Sequence, residues 1–217
     1  DHCRYKRHLD CVLGTARDGD LKLACWLTRT NSNKHHLGRP EIQKACLREC
    51  GTDGRIALSG AHLGDIGHAL LADNTAKATK HAQFWAELFP QRFYIELQRC
   101  GQPNAEPYVN RAVRLASALK LPVVATHPVQ FIKRDDFVAH EARVCIAEGY
   151  VLSDQLRPRH FTEEQYLKSQ DEMAALFADM PQALETTMEI APRCNFAREL
   201  GKSRLPRVHP PEGIARQ

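Results

Sequence analysis

The chain has 217 residues, 43% hydrophobic and 26% charged, with a formal charge of +4. This is an ordinary globular composition, long enough for a sizeable core in one domain or one domain with an appendage. No stretch approaches the roughly 18 unbroken apolar residues of a membrane helix, and the start, DHCRYKRHLD, lacks the apolar run of a signal peptide.

The elements alternate strand and helix. His8 to Gly14 reads as a strand, Asp20 to Arg29 as a helix, and Asn31 to Pro40 as a loop. Glu41 to Cys50 reads as a helix ended by Gly51, and Arg55 to Ser59 as a buried strand closed by Gly60. Asp65 to Ala72 and Thr75 to Phe89 follow as helices, then Phe93 to Leu97 as a strand. Ala105 to Lys120 is a helix that Asn104 is placed to cap, with Pro107 tolerated in its first turn. Leu121 to Ala125 is the strongest strand signal, and Asp135 to Glu148 is a helix stopped by Gly149. Thr162 with Gln165 has the pattern of a capping box for a helix from Glu163 to Ser169. Helices are expected over Asp171 to Ala178 and Pro181 to Ile190, with no strand after Ala125. Strands alternating with crossover helices predict a parallel sheet or a barrel, with side-chain chemistry at the C-terminal strand ends.

The basic residues are scattered, which favours a mixed solvated surface over a nucleic-acid groove. The densest basic stretch, Arg193 to Arg216, holds no aromatic beyond Phe196 and makes a poor platform for stacking bases. The 8 cysteines contain no C-x-x-C. Cys46 and Cys50 lie one helical turn apart, but no second ligand pair follows at zinc-finger spacing, so reduced helix cysteines are expected.

A metal phosphoesterase needs clustered His and Asp ligands to activate water. His8, His62 and His127 are the candidates by placement at strand ends. Around His127, Pro128 has no donor atom and Gln130 offers only an amide oxygen. Ser59-Gly60 and Ser117 lack a nucleophile elbow, and Cys145 falls on an apolar helix face. The turn Gly60 to Asp65 precedes a helix, yet Asp65 in the first turn would repel an anion. Glu172, Glu185 and Glu189 read as solvated helix carboxylates. In the helix beginning near Asp135, Ala139, Arg143 and Ala147 are expected on one face, with Val144 and Ile146 facing more inward. No Walker motif or dinucleotide fingerprint is present.

Four segments carry a family resemblance: Ala57–Gly67 (ALSGAHLGDIG), Phe84–Arg99 (FWAELFPQRFYIELQR), Ala139–Gly149 (AHEARVCIAEG) and Asp171–Asn195 (DEMAALFADMPQALETTMEIAPRCN). In order and wording they resemble the PHP (polymerase and histidinol phosphatase-like) region of bacterial DNA polymerase III alpha subunits. The resemblance implies α/β architecture: part of a distorted seven-stranded β/α barrel, followed by helices leading toward a polymerase palm. It implies a PHP domain over residues 1–197 and the start of a linker over 198–217. It also implies that the chain is a fragment, entering the fold after the strands that carry the family's H-x-H motif. His8 matches a family histidine of a later metal motif, whereas the family's strand-end N-D-x-H has Pro128 and Gln130 in its acidic and histidine places.

The family's metal site is therefore not carried over, and no catalytic, cofactor-binding or metal residue is expected within this chain. The implied role is a structural scaffold that docks a proofreading exonuclease subunit. The polymerase chemistry, with its Mg ions, is implied to lie beyond Gln217. DNA, a sliding clamp and a clamp loader are implied as further partners, in the cytoplasm and away from membranes. The alternatives are a stand-alone PHP phosphoesterase resting on His8, His62 and His127, or a degraded remnant. Residues 10 to 50 match the family poorly, and Pro192 is expected to kink or end its helix.

Overall fold

The computed structural model describes residues 11–14, 48 and 51–194. The sequence expectations for Asp20–Arg29, Asn31–Pro40 and most of Glu41–Cys50, and for His8, lie outside the described residues.

The described strands are β1 (Cys11–Gly14), β2 (Arg55–Leu58), β3 (Phe93–Gln98) and β4 (Val123–Thr126). They form one 4-stranded sheet in the order β1-β2-β3-β4. β1 runs antiparallel to β2, while β2, β3 and β4 are parallel. The parallel part follows from the crossovers. Helices α1 (Asp65–Leu71) and α2 (Thr75–Leu88) join β2 to β3, and α3 (Ala105–Leu119) joins β3 to β4. After β4 come α4 (Phe137–Glu148), α5 (Gln170–Leu176) and α6 (Pro181–Arg193).

Period-two alternation along β3 divides the core. Phe93, Ile95 and Leu97 join Trp85, Phe89, Tyr108, Val109 and Phe177 in the larger cluster. Tyr94 points the other way and packs with Ile56, Leu58, Val124 and Ile190. Ile190 belongs to α6, which lies along β4. The central strands are thus buried on both faces, which explains their largely apolar sequences.

Most element bounds fall within two residues of the sequence expectation; three details depart from it, and Pro192 ends its helix as expected. Asn104 makes no side-chain capping bond to α3; its carbonyl instead accepts from the Tyr108 N–H. Residues Arg134–Asp136 form a 3-10 turn, so α4 begins only at Phe137. The expected helix Glu163–Ser169 is absent. Gln165 Oε1 does accept from the Thr162 N–H at 2.9 Å, as in a capping box. The Thr162 hydroxyl, however, donates to the carbonyl of Cys100 instead of accepting from the turn. The chain makes a single turn, closed by the Gln165 N–H on the Thr162 carbonyl at 3.2 Å, and Tyr166 then bridges to Phe131. The true box is Ser169 with Glu172, at the start of α5. Pro192 sits in the last turn of α6, which ends one residue later with Cys194 as its C-cap.

Candidate functional site: the C-terminal pole of the sheet

Parallel strands gather their polar side chains at the C-terminal ends, and here that pole is organised around Glu96. Its carboxylate is buried. Oε2 accepts from the Gly60 N–H at 3.1 Å, and Oε1 accepts from Gln98 Nε2 at 3.0 Å and from the Thr126 hydroxyl. Gln98 Nε2 also reaches Thr126 Oγ1 at 3.1 Å. The Glu96 N–H donates to Ser59 Oγ at 2.9 Å, and its carbonyl accepts from the Tyr108 hydroxyl at 2.8 Å. Burial holds the Tyr108 phenol well above its usual pKa. Side chains or backbone from the turn after β2, from β3, β4 and α3 therefore meet in one hydrogen-bonded group, and both oxygens of Glu96 are engaged by protein donors.

Asp65 is turned inward. Trp85 Nε1 lies 3.2 Å from each of its oxygens, and His81 Nδ1 is 3.4 Å from Oδ2. This buried carboxylate at the start of α1 opposes anion binding there, as its place in the sequence suggests. His62 is buried in the 3-10 turn Ala61–Leu63.

His127 follows β4 and is held by the segment that replaced the expected helix. Its Nε2 lies 2.8 Å from the carbonyl of Glu164. A carbonyl only accepts, so Nε2 carries the hydrogen. Burial pushes the imidazole pKa down, and nearby Lys168 adds to this. Residues 157–168 form a strap across this side of the pole. Gln165 Nε2 donates to the Pro128 carbonyl at 3.2 Å, and the Gln130 N–H donates to the Gln165 carbonyl at 2.8 Å. Gln102 Nε2 donates to the His160 carbonyl at 2.9 Å, and Arg157 pairs with buried Glu141 at 2.5 Å.

Among the described residues, no three His, Cys, Asp or Glu side chains come together to hold a metal ion. His62 and His127 are not brought into such a group. Pro128 and Gln130 contribute backbone atoms to the strap. Glu185 and Glu189 are exposed, and Cys145 is buried, as their sequence positions suggest. Glu189 also borders an open cavity of about 410 Å³ lined by Phe89, Phe93, Leu121, Pro122 and Thr186. Ile146 departs from expectation: it is 83% exposed, because the inward arc of α4 is taken by His140, Glu141 and Cys145.

Glu96, the carboxylate that organises this pole, is the position the residue pattern left unmarked. Its signal is a carboxylate inside the otherwise apolar run FYIEL, a placement that demands buried donors.

The fold is α/β with a small parallel sheet and polar strand ends, and a family model described as "PHP domain" matches residues 12–100. Most of the stretch 10–50 thus lies inside the matched region. The chain is 48% identical over 203 residues to DNA polymerase III subunit alpha of Pseudomonas aeruginosa, covering 94% of this chain and 17% of that protein. It is 46% identical over 203 residues to the same subunit of Neisseria meningitidis serogroup A, covering 93% and 17%. It is 43% identical over 195 residues to that of Escherichia coli K12, covering 90% and 17%. The chain belongs to the bacterial DNA polymerase III alpha subunit family, in the region that carries the PHP domain, and it spans about 17% of the length of these relatives.

Proposed function

We propose that this chain serves as a structural PHP scaffold within a replicative DNA polymerase III alpha subunit and docks the proofreading exonuclease subunit. The whole polypeptide would be a DNA-directed DNA polymerase acting in the cytoplasm. Its palm carboxylates and Mg would lie outside these residues, and DNA, the sliding clamp and the clamp loader would be its partners. Residues 1–197 would form the PHP domain, part of a distorted seven-stranded β/α barrel, and 198–217 the start of a linker toward the polymerase core. No residue of this chain is assigned a catalytic, cofactor-binding or metal role.

The observation that supports a scaffold over a hydrolase is the state of Glu96. Its two oxygens already accept from Gly60, Gln98 and Thr126, while Pro128 and Gln130 stand where the family's strand-end Asp and His would be. A carboxylate already engaged by three protein donors has fewer lone pairs left to offer a cation.

The test uses the full-length polypeptide that contains this segment. Expected are Mg-dependent incorporation of deoxynucleotides on a primed template, capture of the exonuclease subunit, and no phosphatase activity attributable to the segment. A full equivalent of zinc or manganese that chelators remove, with phosphatase turnover abolished by His127→Ala, would replace this reading with a PHP phosphoesterase.

A further inference from the structure

Helix α4 is amphipathic in the wrong sense for a helix on a free surface. At 100° per residue its inward arc carries His140, Glu141 and Cys145, all buried. Glu141 is paired with Arg157, and the His140 ring packs edge-on against Phe161 at 4.7 Å. The outward arc carries Val138, Ala139, Ala142, Ile146 and Ala147, with Arg143 as its charged member. Val138 is 66% exposed and Ile146 83%. The apolar character continues past the helix in Val151 and Leu152 and reaches Leu156, which is 93% exposed. Single exposed apolar residues are ordinary, but several along one helix arc, next to a buried ion pair, mark a surface meant to be covered.

We propose that the outward face of α4, continued to Leu156, is a permanent intramolecular docking surface for a part of the same polypeptide outside these 217 residues. The inference rests on the reading of this chain as one segment of a longer polymerase subunit, and it identifies the face by which the scaffold holds the rest. Two features select that occupant. The relatives extend far beyond the matched region, which is only 17% of their length, so ample chain exists to cover the face. The face is also nearly uncharged and rich in alanine. Permanent interfaces are more apolar than those of partners that come and go, and small residues let a second helix approach closely.

The test places a photoreactive benzoylphenylalanine at Ile146 and, separately, at Leu156 of the full-length polypeptide. Crosslinked peptides are then mapped with and without the exonuclease subunit. The expected result is an intramolecular crosslink to residues outside this segment, the same in both conditions. Crosslinks only to the exonuclease, to a second copy or within the 217 residues overturn the proposal, as does no crosslink. Hydroxyl-radical footprinting of the unsubstituted polypeptide guards against a variant that fails to fold: loss of reactivity at Ile146 and Leu156 supports the proposal, and full reactivity overturns it. DNA synthesis by the same preparation separates the two readings. A polypeptide that crosslinks as expected but makes no DNA sinks the polymerase reading alone, and one that makes DNA with both positions open sinks only the docking surface.

Discussion

Gly67 lies directly against the carbonyl of Ala61. A Cβ at Gly67 would sit 2.2 Å from that oxygen and 2.6 Å from the Cα of His62. The glycine therefore sets how closely α1 approaches the turn leaving β2. Gly64 is held in the same way, with a Cβ there only 1.9 Å from the Ser59 carbonyl. The obstructing atoms are backbone and cannot swing aside. Gly67→Ala is expected to lower stability by about 3 kcal/mol, the upper end for overpacking. Denaturant unfolding with an unchanged slope measures it, and a loss under about 0.5 kcal/mol would contradict the close approach.

The Glu96 network yields a second expectation. Glu96→Ala removes the acceptor of the buried Gly60 N–H and of the Thr126 hydroxyl, while the Gln98 amide keeps Thr126 Oγ1 as its partner. Each stranded polar group costs about 1–3 kcal/mol. Thr126→Val removes a single donor and should cost less. If Glu96→Ala proves the milder of the two, the carboxylate is not the centre of the pole.

How far the sequence reaches is clearest at these two places. The glycines of ALSGAHLGDIG are visible as a motif, but their reason, contact with the carbonyls of Ser59 and Ala61, exists only once α1 folds back on β2. The strands and helices from Arg55 to Leu119 follow from periodicity, because each buries an apolar face of its own. The strap 157–168 does not. Thr162 and Gln165 carry a helix-start signal that tertiary partners override: Cys100 takes the Thr162 hydroxyl, and Pro128 takes the Gln165 amide. Ile146 was misplaced for a related reason. Its hydrophobicity suggests burial, while the inward positions of α4 are held by Glu141 and His140, whose partners Arg157 and Phe161 come from that unforeseen strap.

The strap also carries a pH dependence. Burial lowers the pKa of His127 and of His140 below the ordinary value of 6.5, with Lys168 and Arg143 respectively adding to it. In the unfolded chain both take up a proton near the ordinary value, and in the fold they do so only at lower pH. The unfolded state thus binds more protons between the two values, so stability rises with pH across that window. The contribution of each histidine is complete above pH ~7 and is lost as pH falls through the ordinary value toward the folded one. His127→Gln, which keeps a side-chain donor for the Glu164 carbonyl, should flatten the fall in unfolding midpoint between about pH 7 and pH 5. An unaltered slope would assign the effect elsewhere.

Glu172 shows the opposite sign. The Tyr166 hydroxyl donates to its Oε1 at 2.5 Å, and Oε2 accepts from the Ser169 N–H at 2.7 Å. These bonds, Tyr166 first, hold its carboxyl down to about 2. A depressed carboxylate stabilises the fold above its ordinary value, and that contribution disappears as pH falls through the folded one. Tyr166→Phe removes the largest cause while leaving the capping box of α5 intact. The side-chain carbon signal of Glu172, followed by NMR titration, should then move its midpoint upward toward the ordinary carboxylate range. The stability difference between the two proteins should shrink to nothing below the folded midpoint, where Glu172 is neutral in both. A midpoint unmoved by Tyr166→Phe would mean that the cap alone sets the charge on Glu172, and that the phenol joins the strap to α5 by packing rather than by its hydrogen bond.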